Sequence, residues 1–174
     1  LDGIRCLVST GRPGGDSEGD VALKDVLTEA GDEVSDMFPH RHVTIDTSRM
    51  DPGAKVRDRQ SLHELFGNLL LNLVQLQTGE DATIEERTAP NGGDGSGIVA
   101  ELIARDAVLP HGIDERFFSE ALTKDVSKMA RISGAVFASS IARALGGKVK
   151  ARVLDQGDSR GCAFEVSLRG GCGG

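Results

Sequence analysis

The sequence of 174 residues has no tryptophan, no tyrosine and six phenylalanines. Single-stranded nucleic acid is held largely by bases stacked on aromatic rings, so this composition argues against such a function. Cysteine is also scarce. Cys6, Cys162 and Cys172 show no CxxC spacing, and an odd count leaves one unpaired, so neither a disulfide framework nor a zinc site is indicated. A reducing, cytoplasmic compartment is the simplest expectation. A positive balance is missing as well: the net charge is −7, with Lys and Arg scattered among acids. A phosphodiester backbone needs clustered basic residues, so no nucleic-acid partner is expected. No apolar run approaches the roughly 18–20 residues of a membrane-spanning helix, and the first residues lack a signal-peptide pattern. Membrane contact is therefore not expected within this stretch of chain.

What remains is 39% hydrophobic and 27% charged, the balance of a soluble folded domain, and the length suits one such domain with short tails. Leu1, Ile4, Leu7 and Val8 share one helical face, interrupted by Gly11-Arg12-Pro13-Gly14-Gly15 and an acidic linker to Asp20. Leu23, Val26, Leu27, Ala30, Val34 and Met37 then predict an amphipathic helix, with Asp20 as N-cap and Pro39 as its end. His42–Thr47 alternates as a strand, and Asp51-Pro52-Gly53 is a turn. Asp58 or Ser61 caps a long helix, Arg59–Leu76. Ala82–Arg87 and Ile98–Arg105 read as strands joined by a Gly-rich loop, Thr88–Gly97. A short helix at Asp114–Leu122 and a polar stretch, Thr123–Arg131, precede a third long helix, Ile132–Leu145, stopped by Gly146-Gly147. Lys148–Leu154 and Cys162–Leu168, with a Gln156–Arg160 turn, are the last strands, and Gly170–Gly174 is a frayed tail. The order predicts an α+β two-layer sandwich, helices on one face of a mostly antiparallel mixed sheet.

The helix Arg59–Leu76 is apolar nearly all round, yet Glu64, Asn68 and Asn72 fall four apart and form one polar stripe. Asparagine is a poor helix former, and a buried amide needs partners. Two readings stand: hydrogen bonds to a neighbouring strand or solvent, or a pocket wall whose amide oxygens meet a hard cation or phosphate-bound water.

The last third, a helix, Gly146-Gly147, a strand, a turn with Gly157 and Gly161, and the alternating Ala163–Leu168, completes a resemblance to the histidine-kinase branch of the GHKL ATPases. Leu1–Arg12 resembles the end of a dimerisation helix, 13–19 a linker, 20–169 the ATPase-like (Bergerat-fold) domain and 170–174 a tail. Asp58–Gln77 resembles the family's N-box and Asp114–Ala121 its F-box. The resemblance implies Mg²⁺ and ATP phosphate at Asn72, with Asn68 one turn before it. It also implies adenine recognition at Asp106, a lid hinge at Gly134 and the last glycine motif at Gly161.

The departures are concentrated around the nucleotide. The family's Asp-x-Gly-x-Gly becomes Asp106-Ala107-Val108-Leu109-Pro110-His111-Gly112; aligning Gly112 instead places Val108 at the aspartate. Glycine lets backbone approach a ligand closely, which Val and Pro obstruct. The hinge Ala130–Ala135 keeps one glycine, and Leu71 replaces the usual acid before Asn72. A degenerate site is the result, with ATP and Mg²⁺ as cofactors only if it functions, and no catalytic side chain is assigned. Glu64 is expected at the surface or in capping rather than as a base, and Glu85-Glu86-Arg87 as a solvated strand face. His40, His42, His63 and His111 are expected to be structural or exposed, with any phospho-accepting histidine upstream of Leu1. Two functions compete: a nucleotide-binding kinase domain with a weakened site, and a pseudo-kinase or phosphotransferase-type docking domain. The expected partners are a response regulator or a dimerisation and phosphotransfer domain, with this stretch monomeric and its parent homodimeric. An anti-sigma-type serine kinase module of the same fold fits less well, given Leu1–Arg12.

Overall fold

A computed structural model of the chain describes residues 20–91, 97–110, 132–156 and 159–169. The expected helix at 1–12, the linker 13–19, the short helix at 114–122, the polar stretch after it and the tail at 170–174 lie outside the described residues.

β1 (Val21–Ala22) pairs antiparallel with β3 (Lys55–Val56), and α1 (Leu23–Asp36) starts directly from it. This changes how the helix begins. Ala22 is the N-cap and makes no side-chain cap bond; the Leu23 N–H donates instead to the Ala54 carbonyl at 2.9 Å. Asp20, expected as the cap, accepts from Arg57 Nε at 3.0 Å, because pairing with β3 has already fixed the entry of the chain. β2 (His42–Arg49) follows, then α2 (Arg59–Leu76), capped as expected by the Asp58 side chain, which accepts from Ser61 N at 3.0 Å. β4 (Asp81–Pro90), β5 (Gly97–Ala104), α3 (Ser133–Ala144), β6 (Lys148–Gln156) and β7 (Ser159–Arg169) complete the described elements. Both hairpins carry longer strands than the sequence predicts, since register continues to Pro90↔Ile98 and Gln156↔Ser159.

The main sheet has the order β2-β4-β5-β7-β6. β2 and β4 are parallel because α2 carries the chain across between them; the other three pairings are antiparallel. Alternation gives each strand one face toward the helices: Ala82 and Ile84, Ala100 and Leu102, Phe164 and Val166, Val149 and Ala151 are all buried there. α2 lies in the middle of the helix layer, packed by α1, α3 and the sheet, which is why it is apolar on every side. The expected two-layer α+β arrangement is the observed one.

The opposite face of the sheet is laced with ion pairs. Glu85 meets Arg49 at 3.2 Å, Arg87 at 2.8 Å and Arg105 at 3.2 Å, while Arg152 pairs with Glu101. Here one expectation is overturned. Glu85 and Arg87 do lie on this face, but Glu86 points the other way and is 0% exposed. A three-residue charge cluster in a strand cannot be one solvated face, since successive side chains alternate.

Candidate functional site

Asn68 and Asn72 face the interior from the middle of α2, at 0% and 1% exposure. Several bonds hold their helix in place. Arg41, just before β2, donates from Nη1 to the Val74 carbonyl at 2.8 Å and from Nη2 to the Gln77 carbonyl at 3.2 Å. Gln77 donates from Nε2 to Leu73 O at 3.1 Å and accepts from Thr83 N at 3.0 Å, tying the last turn of α2 to β4. The C-terminal carbonyls of α2 thus have side-chain donors, which a helix end otherwise lacks. Neither Arg41 nor Gln77 was singled out from the sequence. A polar residue just past an apolar helix, and a cation on the preceding strand connection, were the signals available.

Gly134 is the second residue of α3 and packs straight onto α2. A Cβ there would stand 2.6 Å from the Asn68 carbonyl oxygen and 3.4 Å from Asn72 Cβ. The glycine is therefore part of a helix–helix contact, and it sits in a helical turn where the resemblance implies a lid hinge. The start of α3 has Ile132 as N-cap, with no side-chain cap bond and no acid in the first turn. The first N–H groups of a helix lack intrahelical acceptors and carry the positive end of its dipole, a place suited to phosphate. This helix start packs on α2 at the Asn68 backbone carbonyl and the Asn72 side chain. The Asn68 amide nitrogen donates to Glu64 O at 2.8 Å, tying this side chain to its own helix.

The other predicted residues are placed less favourably. Asp106 is exposed in the turn after β5. That turn is joined to the end of α2 through the Gln77–Ala107 bridge and the Val108 N–H to Leu76 O bond at 3.4 Å, one turn beyond Asn72. Val108, two residues on from Asp106, is 51% exposed. Gly161, the third residue of β7, precedes the pairing with β5; a Cβ on it would lie 2.8 Å from the Ala104 and Arg105 carbonyl oxygens, so this close approach accepts only glycine. Gly112 and His111 lie outside the described residues. Glu64 is half-buried, His40 and His42 are exposed, and His63 is 3.5 Å from Glu33 on α1. Burial pushes the Cys162 thiol up to about 12, so it is not a nucleophile near neutral pH.

Magnesium and nucleotide fit the two halves of this site unequally. Two neutral amides form no cation cage, and among the described residues no group of three His, Cys, Asp or Glu could complete one. Magnesium is ordinarily held by few protein oxygens together with substrate phosphates and water, which the Asn72 amide beside an uncapped helix start can serve. On the side where the resemblance implies adenine, Asp106 and Val108 are both exposed, and the fit is poor.

Solved structures resemble this arrangement closely in fold. A mycobacterial sensor histidine kinase, MprB, superposes with a TM-score of 0.64 at 14% identity, over 87% of this chain and 98% of that one. The fold is that of a histidine-kinase catalytic domain. The nucleotide-free catalytic domain of histidine kinase ThkA matches with a TM-score of 0.59 at 16% identity, covering 87% of this chain and 94% of that one. The ATP-binding domain of PrrB from Mycobacterium tuberculosis matches with 0.55 at 16%, covering 87% and 96%. No family model and no curated protein matches the sequence. No helix among the described residues is long and apolar enough to cross a membrane.

Proposed function

We propose that this chain is the ATP-binding-type catalytic domain of a sensor histidine kinase with a degenerate nucleotide site, keeping the phosphate and metal side and having lost much of the adenine side. The observation that supports it most is the contact of α2 and α3: Asn68, Asn72 and Gly134 meet beneath a helix start that carries no cap of its own. Mg²⁺ supplies charge neutralisation of the transferring phosphate in such a domain, and the protein contributes mainly positioning. Asn72 is the metal-side residue, and Asn68 and Gly134 shape the floor beside it. Asp106, Gly112 and Gly161 belong to the weakened base side. Its partners are a response regulator or a dimerisation and phosphotransfer domain, in the cytoplasm, with this domain monomeric and its parent protein homodimeric.

Because two amides hold no free cation strongly, metal and nucleotide are expected to bind together. Thermal unfolding tests this with Mg²⁺ alone, ATP alone and both, repeated with Asn72→Ala. A ligand at about 100 times its Kd adds roughly 2.7 kcal/mol, several degrees of Tm for a domain of this size. The expected result is a shift at millimolar Mg-ATP, none with Mg²⁺ alone, and loss of the shift in Asn72→Ala. No shift with millimolar Mg-ATP overturns this reading in favour of a pseudo-kinase docking domain. The replaced glycine and the exposed Val108 favour that second reading.

A further inference from the structure

Glu86 lies near the middle of β4 on the side facing the helices, in line with buried Ala82 and Ile84 and directly across from buried Leu102 of β5. It is 0% exposed, and neither carboxyl oxygen has a hydrogen-bond partner. A carboxylate in this place would have no water and, among the described residues, no cation, so its desolvation would go uncompensated. The neutral acid is the form this packing can hold. We propose that Glu86 is a proton-dependent latch: the closed packing of α2 on β4 requires its neutral carboxylic acid, and ionisation opens that packing to water.

The charged groups on the surrounding elements are committed elsewhere. On β2, Arg49 is spent on Glu85, and Asp46 is an exposed acid whose carboxylate accepts from Ser48 N at 2.9 Å. On β5, Glu101 is paired with Arg152, and Arg105, just past the strand, with Glu85. On α2, Arg59 pairs with Glu29, His63 faces Glu33, and Glu64 is one more acid. On β4 itself, Glu85 and Arg87 pair with each other on the far face. Nothing among them offers a cation to Glu86, and the nearest field makes ionisation harder. Burial pushes the carboxyl up to about 8, with the Asp46 charge adding to the rise. The latch therefore works near neutral pH, where ordinary carboxyls are already ionised. It does not depend on nucleotide and so stands apart from the catalytic reading.

The test is a carboxyl ¹³C NMR titration of the glutamate-labelled protein, with amide hydrogen exchange at pH 6 and pH 8 corrected for the intrinsic exchange rate. One glutamate signal should titrate far above the others and be missing from Glu86→Gln. Opening of α2 and β4 amides should increase by up to about tenfold per pH unit in the wild type and stay flat in Glu86→Gln. A Glu86 signal that titrates with the ordinary carboxyls, or equal pH dependence of opening in the two proteins, overturns the proposal. Should Glu86→Gln fail to fold, the wild-type titration decides by itself.

Discussion

Glu85 and Glu86 are consecutive residues of one strand, chemically identical, and the two faces of the sheet treat them in opposite ways. Burial alone would raise the Glu85 carboxyl, but the hydrogen bonds from Arg87 and Arg105 and the charges of Arg87 and Arg49 outweigh it and hold it below the usual range. Glu86, one residue on, is pushed up to about 8, with no cation among the described residues to offset its burial. The solvent face tolerates charge because it pairs it, and because errors there are corrected by water. The helix face has neither remedy, so its tolerance is set by protonation and by shape. Changes on the helix side should therefore be expensive and those on the solvent side cheap.

The largest expected effect is at Glu86 itself. Its folded-state value is above its unfolded value of 4.5, so folding takes up a proton between the two. The contribution is fully present below about 4.5 and is lost as pH rises toward about 8, on the order of 5 kcal/mol in all. Urea unfolding across pH 5 to 9 should show wild-type stability falling through that window, while Glu86→Gln runs nearly level. Parallel curves would mean that the two faces do not differ as their carboxyls suggest.

Packing is the second limit on the helix side. Gly134→Ala places a Cβ 2.6 Å from the Asn68 carbonyl oxygen, and backbone on both helices must give way. In an exposed helix this exchange stabilises by up to about 1 kcal/mol. Here it should destabilise by about 1–3 kcal/mol, the usual cost of overpacking a core. Chemical denaturation decides the sign. A stabilised Gly134→Ala would show that α2 and α3 are not in close contact.

Much of this was readable from the sequence, and the unreadable parts share a cause. The periodicity of Leu23–Met37 and Arg59–Leu76 located the helices, and Asp58 was found as a cap because its partner, Ser61, is local. The Asn68–Asn72 stripe stood out because amides are out of place in an apolar helix. Asp20 reads locally as a helix cap, but its partner is 37 residues away beside β3, and no local rule reports that. Three charges in a row at Glu85-Glu86-Arg87 suggest water, although strict alternation turns Glu86 inward. The partners of Arg41 lie 33 and 36 residues away at the end of α2, beyond any motif. Distant pairing is what sequence patterns do not carry.

On the solvent side, Glu85→Gln removes the hub of three arginines, whose side chain is 15% exposed. About 1 kcal/mol is expected, since even a network on an open face is partly screened. The pH dependence runs opposite to that of Glu86. Glu85 is held below its usual value, so its contribution is present above about 4.5 and fades as acid protonates it. The Glu85→Gln and wild-type curves should therefore separate above pH 5 and converge toward pH 3. Curves that instead separate on the alkaline side would assign the wrong glutamate to the buried position.

The smallest effect belongs to the Asp20–Arg57 pair, whose side chains are 48% and 58% exposed at a distance of 3.0 Å. An exposed pair gains little Coulomb energy and immobilises two side chains, so Asp20→Ala should change stability by no more than about 0.5 kcal/mol. As α1 is started by the Leu23 N–H to Ala54 bond and not by Asp20, no capping loss of about 1 kcal/mol should appear. Thermal unfolding in low and high salt separates the two contributions: an ion pair fades with salt, a cap does not. A salt-independent loss near 1 kcal/mol would restore Asp20 as the helix cap and make this corner of the solvent side as costly to alter as a packed contact on the helix side.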